Sequence, residues 1–349
     1  LRVYLGAAPG VGKTYAMLGE GQRRMSRGTD IVVGYVETYG RPLTGEMIKG
    51  LEVVPRRLLS YRGGWFEEMD TDAIVDRHPA VVLVDELAHA NVPGSRRAKR
   101  WEDVLDILAA CIDVVTTINV QHLESLNDVV RDITSIRQQE TVPDWVVDLA
   151  DQVELVDMSP EALRRRMRHG NVYPDPAKAE LALRRFFTLE HLTALRELAL
   201  MRVADRVDSD LLQRWSKAST PETRERILVC VSGSDLSDTL VRRGARMAHR
   251  VRGDLLVLHV RTGDDRFDPE TQTRIEELTC DLGGELHVVD ADSVVDGILG
   301  FVRRQRVTQC VVGEPLRPAW QELLTGSVVS RLIRKASQVD VHVIARRER

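Results

Sequence analysis

The chain has 349 residues, enough for about two domains at roughly 150 residues each. Hydrophobic residues make up 43% and charged ones 29%, which excludes a largely disordered chain. Lysine plus arginine number 49 against 53 for aspartate plus glutamate, and this formal charge of -4 argues against a dedicated DNA-binding surface.

In chain order, residues 2–5 open on an apolar strand with no initiating methionine or signal peptide ahead of it. The expectation is a segment of a longer protein. Further Val/Ile/Leu runs follow at 31–36, 81–84, 113–120 and 152–156, separated by stretches long enough for helices. Runs without polar alternation indicate strands buried on both faces of a parallel sheet. Ser159-Pro160-Glu161 predicts a helix start, with closure near His169-Gly170. Residues 175–215 read as wholly helical, because Leu181, Phe186, Leu189, Leu192, Leu195, Leu198 and Val203 recur at three- and four-residue spacing. The polar stretch 216–225 is the linker expectation. Strand–helix alternation then restarts, with strands at 227–231, 255–260, 285–289, 310–312 and 341–344. No apolar run approaches the ~18 residues that span a bilayer. Cys111, Cys230, Cys280 and Cys310 are scattered without a CxxC pair, which suits a reducing compartment.

The predicted organisation is a P-loop NTPase-like parallel-sheet domain over 1–174 with a helical extension over 175–215. A linker at 216–225 and a second, doubly wound α/β domain over 226–349 follow. The first strand and helix enclose Gly6-Ala7-Ala8-Pro9-Gly10-Val11-Gly12-Lys13-Thr14-Tyr15. This fits the P-loop rule except that Ala7 stands at the first glycine position. A loop of little side-chain bulk lets the backbone N–H groups from Ala8 to Tyr15 converge on phosphate oxygens at a helix N-terminus. Lys13 would then reach the β- and γ-phosphates of ATP, and the Thr14 hydroxyl would hold Mg²⁺. A second magnesium anchor is expected at the end of a buried strand, and Asp85 supplies it after residues 81–84. Glu86 beside it is placed to polarise water or a protein hydroxyl.

Glu37 ends another strand as a candidate base, or as a helix cap or ion-pair partner. Asn119 and Gln121 are candidate γ-phosphate sensors or turn material, and His122 reads as turn material. Residues 90–101, with four basic side chains, read as a mobile loop. One of its arginines would stabilise transferred phosphate, or the loop is simply solvated.

The segments GAAPGVGKTYAML, VVLVDELAHANVPGSRRAKRW, TTINVQHLESLNDVV, QVELVDMSPEALRRRMRHGNVY and LTALRELAL resemble the N-terminal cytoplasmic domain of the KdpD family of potassium-responsive sensor histidine kinases. They cover about residues 1–215. The second domain resembles the universal stress protein fold. The resemblance implies a two-component system in which the kinase and its response regulator, KdpE, switch on potassium uptake. It also implies a homodimeric full-length protein of the inner membrane, with membrane spans and autokinase core C-terminal to residue 349. His191 lacks the neighbouring acid and following proline of a phospho-acceptor histidine, so a structural or surface role is expected.

ATP-binding members of the stress protein fold carry an acid after the first strand and a glycine pattern after the fourth. Here Ser232 replaces the acid, Leu316 replaces one glycine, and Gly313 with Gly326-Ser327 keep the remainder. Ser232-Gly233-Ser234 matches one part of the cyclic-dinucleotide element of some members, whereas 255–259 lacks the aromatic part. Arg317 and Trp320 read either as anion and base contacts or as a packed pair. Basic stretches at 164–168 and 346–349 read as solvated faces. Three functions stay open: an ATP–Mg²⁺-binding regulatory input region, a slow ATPase or protein serine kinase, and a docking scaffold or cyclic-dinucleotide sensor.

Overall fold

The structure, a computed structural model, describes residues 1–173, 175–215, 225–234, 236–263, 267–314, 328–335 and 339–345, the side chains of 208–215 excepted. They divide into two compact units, Leu1–Val142 with Val146–Val207, and Asp208–Arg349 with Pro143–Trp145.

In the first unit β1 (Arg2–Gly6), β2 (Ile31–Tyr35), β3 (Glu52–Val53), β6 (Val81–Val84), β7 (Asp113–Asn119) and β8 (Gln152–Val156) form one parallel sheet in the order β3-β2-β6-β7-β1-β8. Alternate residues of each strand feed different layers. Val3, Leu5, Val82, Val84 and Val114 pack with Ile107 and Leu195, while Tyr4, Val81, Leu83 and Val115 pack with Met17 and Leu18. Covering both faces explains why the strands lack polar alternation, and each fully buried aliphatic side chain contributes roughly 1.5–3 kcal/mol.

The covering helices are α1 (Lys13–Ser26), α2 (Pro42–Ile48), α3 (Thr71–Arg77), α4 (Arg100–Ala109), α5 (Asn127–Thr134), α6 (Asp144–Asp148) and α7 (Pro160–Arg168). The Ser159 side chain accepts from Ala162 N at 3.3 Å, so α7 begins where the N-cap and proline predicted. The stretch expected to be wholly helical is two helices, α8 (Pro176–Arg185) and α9 (Leu189–Trp215). Between them Phe186 and Phe187 turn inward, ring centroids 5.0 Å apart, and the Thr188 hydroxyl caps α9 through His191 N at 3.1 Å. The His191 ring lies 3.1 Å from Phe186 O at this break. Leu192, Leu195 and Ala199 of α9 are buried in the first unit's cores.

Sequence reading missed an antiparallel hairpin, β4 (Arg57–Tyr61) with β5 (Gly64–Glu68). Its turn residues, Arg62 and Gly63, both have positive φ, 48° and 79°, as a tight hairpin requires. Arginine in place of asparagine or aspartate concealed that signal.

The second unit is a parallel sheet, β11 (Glu285–Asp290), β10 (Asp254–Arg261), β9 (Arg226–Val231), β12 (Gln309–Gly313) and β13 (Asp340–Ile344), in that order. Helices α10 (Ser237–Val251), α11 (Pro269–Asp281), α12 (Val294–Gln305) and α13 (Val328–Lys335) accompany it. One core joins β9 and β10 to α10 and α11, and another joins β10 and β12 to α12 and Leu332 of α13. Both units are therefore α/β with parallel sheets. The linker expectation at 216–225 lies, apart from Glu225, outside the described residues, as do Leu316, Arg317, Trp320, Gly326, Ser327 and residues 346–349. No helix among the described residues is long and apolar enough to cross a membrane.

Candidate phosphate-binding site

The order β2-β6-β7-β1 sets four strand ends side by side at one edge of the sheet, where open α/β folds hold ligands. Gly6 at the end of β1 pairs with Asn119 at the end of β7, and Val84 at the end of β6 pairs with Thr116 of β7. Residues far apart in sequence thus meet around the loop that enters α1.

The loop's backbone is set by its glycines. Gly10 and Gly12 have φ of 91° and 111°, and a Cβ at Gly10 would stand 2.6 Å from Val172 Cγ2. A Cβ at Gly6 would stand 2.7 Å from Val11 Cγ2. Gly12 caps α1 without a side-chain hydrogen bond, so the first N–H groups of the helix stay available to an anion. Ala8 and Val11 are buried and anchor the loop, Pro9 is half-buried, and Tyr15 is exposed.

Lys13 is buried, and its Nζ donates to Ala8 O at 3.4 Å and to Asn119 Oδ1. Burial pulls its ammonium down to about 8, against the opposing charges of Asp85 and Glu86. Thr14 Oγ1 donates to Asp85 Oδ2 at 3.0 Å, and Thr117 Oγ1 donates to Asp85 Oδ1. A hydroxyl beside a strand-end carboxylate is the hard-oxygen pair that suits Mg²⁺ completed by phosphate and water. Among the described residues no group of three His, Cys, Asp or Glu could hold a metal ion.

Glu86 has φ of 57°, and its N–H donates to Thr117 Oγ1 at 3.2 Å. Its carboxylate accepts from Tyr39 Oη at 2.5 Å. Burial first, and the Asp85 charge second, push the Glu86 carboxyl up, while Tyr39 restrains the rise. Glu37 is differently placed. It pairs with Arg56 at 3.3 Å and accepts from Tyr39 N at 3.3 Å. Gln121 is buried, and its Oε1 has no hydrogen-bond partner among the described residues. His122 Nδ1 lies 2.7 Å from Glu140 O, and burial pulls its pKa down.

The loop over 90–101 differs from expectation. It closes through a bridge between Ala90 and Lys99, and Arg96 and Arg97 pair with Asp72 and Asp106. Arg100 is fully buried behind β6, where it donates to Asp85 O at 3.3 Å and to Glu68 Oε2 at 3.2 Å. It also lies 3.7 Å from the Tyr35 ring centroid and 3.9 Å from Glu86. Burial alone would raise the Glu68 carboxyl, but His89, Val92 N–H and Arg100 together hold it below the ordinary range. Arg100 therefore ties the hairpin to the Asp85–Glu86 segment and is not a mobile phosphate-seeking arginine. Composition alone read it as loop because its buried partners, Glu68 and Tyr35, lie 32 and 65 positions earlier.

In the second unit, Ser232 Oγ donates to Ser234 Oγ at 3.3 Å, and Gly233 has φ of 74°. A Cβ there would stand 3.1 Å from the Phe267 ring, which stacks on His259 at 3.9 Å between centroids. Phe267 is thus the aromatic neighbour of the Ser-Gly-Ser turn that the strand 255–259 itself does not supply. Gly313 is closed in by Leu236, 2.8 Å from where its Cβ would be.

The sequence pattern described as KdpD, osmosensitive K+ channel His kinase sensor domain, matches residues 1–207. The chain belongs to the KdpD family. The universal stress protein family pattern matches residues 223–279 of this KdpD-family chain. It is similar to Sensor protein KdpD of Mycobacterium tuberculosis (strain CDC 1551 / Oshkosh), 49% identical over 99% of this chain and 40% of that protein. It is 43% identical to Sensor protein KdpD of Escherichia coli (strain K12), over 99% of this chain and 39% of that one. A putative sensor protein KdpD of Synechocystis sp. is 44% identical over 99% of this chain and 93% of its own length. The chain thus spans about 40% of the length of the mycobacterial and Escherichia coli relatives. A universal stress protein solved in complex with cAMP is 21% identical, with a TM-score of 0.31 over 35% of this chain and 97% of its own.

Proposed function

We propose that this KdpD-family chain is the nucleotide-binding sensory region of a potassium-responsive, two-component sensor histidine kinase. The observation that supports it most is the meeting of Lys13, Thr14, Asp85 and Asn119 at adjoining strand ends around a glycine-shaped helix start. In this reading the amides of Gly10 to Thr14 and the Lys13 ammonium hold the phosphates of ATP. Thr14 and Asp85 hold Mg²⁺, which supplies charge neutralisation to the phosphate chain. Binding regulates the attached kinase only if two arrangements of the full-length protein differ in nucleotide affinity. The partners of that protein are the remaining kinase segments, a response regulator of the KdpE type and a second copy of the kinase.

The placement of Glu86 favours a second activity at the same site. Its carboxyl is pushed up by burial, held by Tyr39 and one residue from the metal anchor, as suits a base that takes a proton from water or a protein hydroxyl. Slow ATP hydrolysis or phosphoryl transfer is the corresponding reaction.

The experiment is calorimetric titration of the 349-residue chain with ATP and Mg²⁺, beside Lys13→Ala. Wild type is expected to bind with magnesium dependence and the variant not to bind. Folded wild-type protein that ignores ATP and GTP alike would overturn both readings.

A further inference from the structure

Two arginines that no P-loop pattern includes stand at the same loop, brought there by different elements. Arg41 precedes α2, and its Nε and Nη2 donate to Val172 O at 3.2 and 3.1 Å. Val172 is also the residue whose side chain closes over Gly10. The Arg41 guanidinium is therefore fastened to the cover of the loop, with Nη1 bonded to nothing among the described residues. It lies 5.3 Å from the Tyr39 ring centroid, and Tyr39 holds Glu86, so Arg41 is on the Glu86 side of the site.

Arg166 comes from α7. Its Nη1 is 3.8 Å from where a Cβ on Gly12 would stand, and its guanidinium makes no hydrogen bond or ion pair among the described residues. By contrast Arg56, Arg57, Arg77, Arg96, Arg97 and Arg100 each meet a carboxylate. The cations also oppose one another. Arg41 disfavours the charge on Lys13, and Arg166 disfavours that on Arg41. Arg41 thus stands between two like charges, with Asp85 the carboxylate that favours the charge on both Arg41 and Lys13. Such a cluster at a glycine loop suits a ligand carrying several negative charges, and the guanidinium fork matches phosphate oxygens.

We propose that Arg41 and Arg166 bind the phosphate chain of a nucleoside triphosphate, Arg41 at the terminal phosphate and Arg166 at the inner ones. This assignment rests on the P-loop reading above and makes the site selective for the triphosphate over the diphosphate. Arg41 is the discriminating residue, because it alone of the two is tied to the Glu86 side.

The test is calorimetry of the 349-residue chain with ATP–Mg²⁺ and ADP–Mg²⁺, using wild type, Lys13→Ala, Arg41→Gln, Arg41→Lys and Arg166→Gln, each checked for folding by its thermal melt. Arg41→Gln is expected to weaken ATP about 10- to 100-fold, the loss of one charge-assisted contact, and ADP less than about twofold. Arg41→Lys, which keeps the charge without the fork, should fall between wild type and Arg41→Gln. Arg166→Gln is expected to weaken both nucleotides by similar factors. If wild type binds and Lys13→Ala does not, yet the arginine variants match wild type, this assignment fails and the P-loop reading stands. Equal losses of ATP and ADP in Arg41→Gln would overturn the terminal-phosphate placement. Wild type that binds neither nucleotide would take down the P-loop reading itself.

Discussion

Replacing Lys13 with methionine should make the nucleotide-free protein more stable while abolishing phosphate binding. The lysine is buried, and its pKa falls from 10.5 to about 8, chiefly through loss of hydration. Below pH 8 it is charged in the folded and unfolded chain alike, and the folded chain bears the whole penalty. At ~1.4 kcal/mol per pKa unit that penalty is about 3 kcal/mol at pH 7. Between pH 8 and 10.5 the unfolded chain holds more protons than the folded one, so stability rises with pH across that window. Methionine keeps most of the aliphatic stem and removes the charge. It forfeits the contacts to Ala8 O and Asn119 Oδ1, each worth on the order of 1 kcal/mol, which leaves a net gain of about 1 kcal/mol. Urea unfolding at pH 7 and pH 10 without nucleotide measures this. The variant should lead at pH 7, and the gap should narrow at pH 10. A variant less stable than wild type at pH 7, or a gap that ignores pH, would refute the reasoning that function here is stored as desolvated charge.

Arg100→Ala removes a fully buried partner of Glu68 and should cost about 3–5 kcal/mol in urea unfolding; a loss below about 1 kcal/mol would deny the tie between hairpin and Asp85. Gly10→Ala forces a side chain into a left-handed backbone position against Val172, and is expected to cost about 1–3 kcal/mol and to weaken ATP binding in the same calorimetric titration. If the site turns over ATP, Glu86→Gln should keep binding and lose phosphate release. The wild-type rate should rise with pH as Glu86 ionises above the ordinary carboxylate range, and Tyr39→Phe, by removing a bond to the charged form, should move that inflection to higher pH.

Local chemistry made much of the fold legible. The unbroken Val/Ile/Leu runs announced strands covered on both faces, and Ser159-Pro160 announced the start of α7, because burial and capping are read within a few residues. The hairpin was hidden because its turn uses Arg62-Gly63. The break at Phe186–Thr188 was hidden because inward-facing phenylalanines keep helical spacing on both sides of it.

The site divides along the same line. Glycine spacing, the lysine–threonine pair and the acid after a buried strand lie in short segments whose chemistry is set by neighbours along the chain, so Lys13, Thr14 and Asp85 could be named as candidates from sequence, and the structure brings Thr14 and Asp85 into contact. Only the tertiary structure decided that Asn119 meets Lys13, that Glu37 belongs to Arg56, that Arg100 is core, and that Arg41 and Arg166 reach the loop. The reason is physical: a buried or converging charge is defined by what surrounds it in space, and strand order, not chain distance, chooses those surroundings.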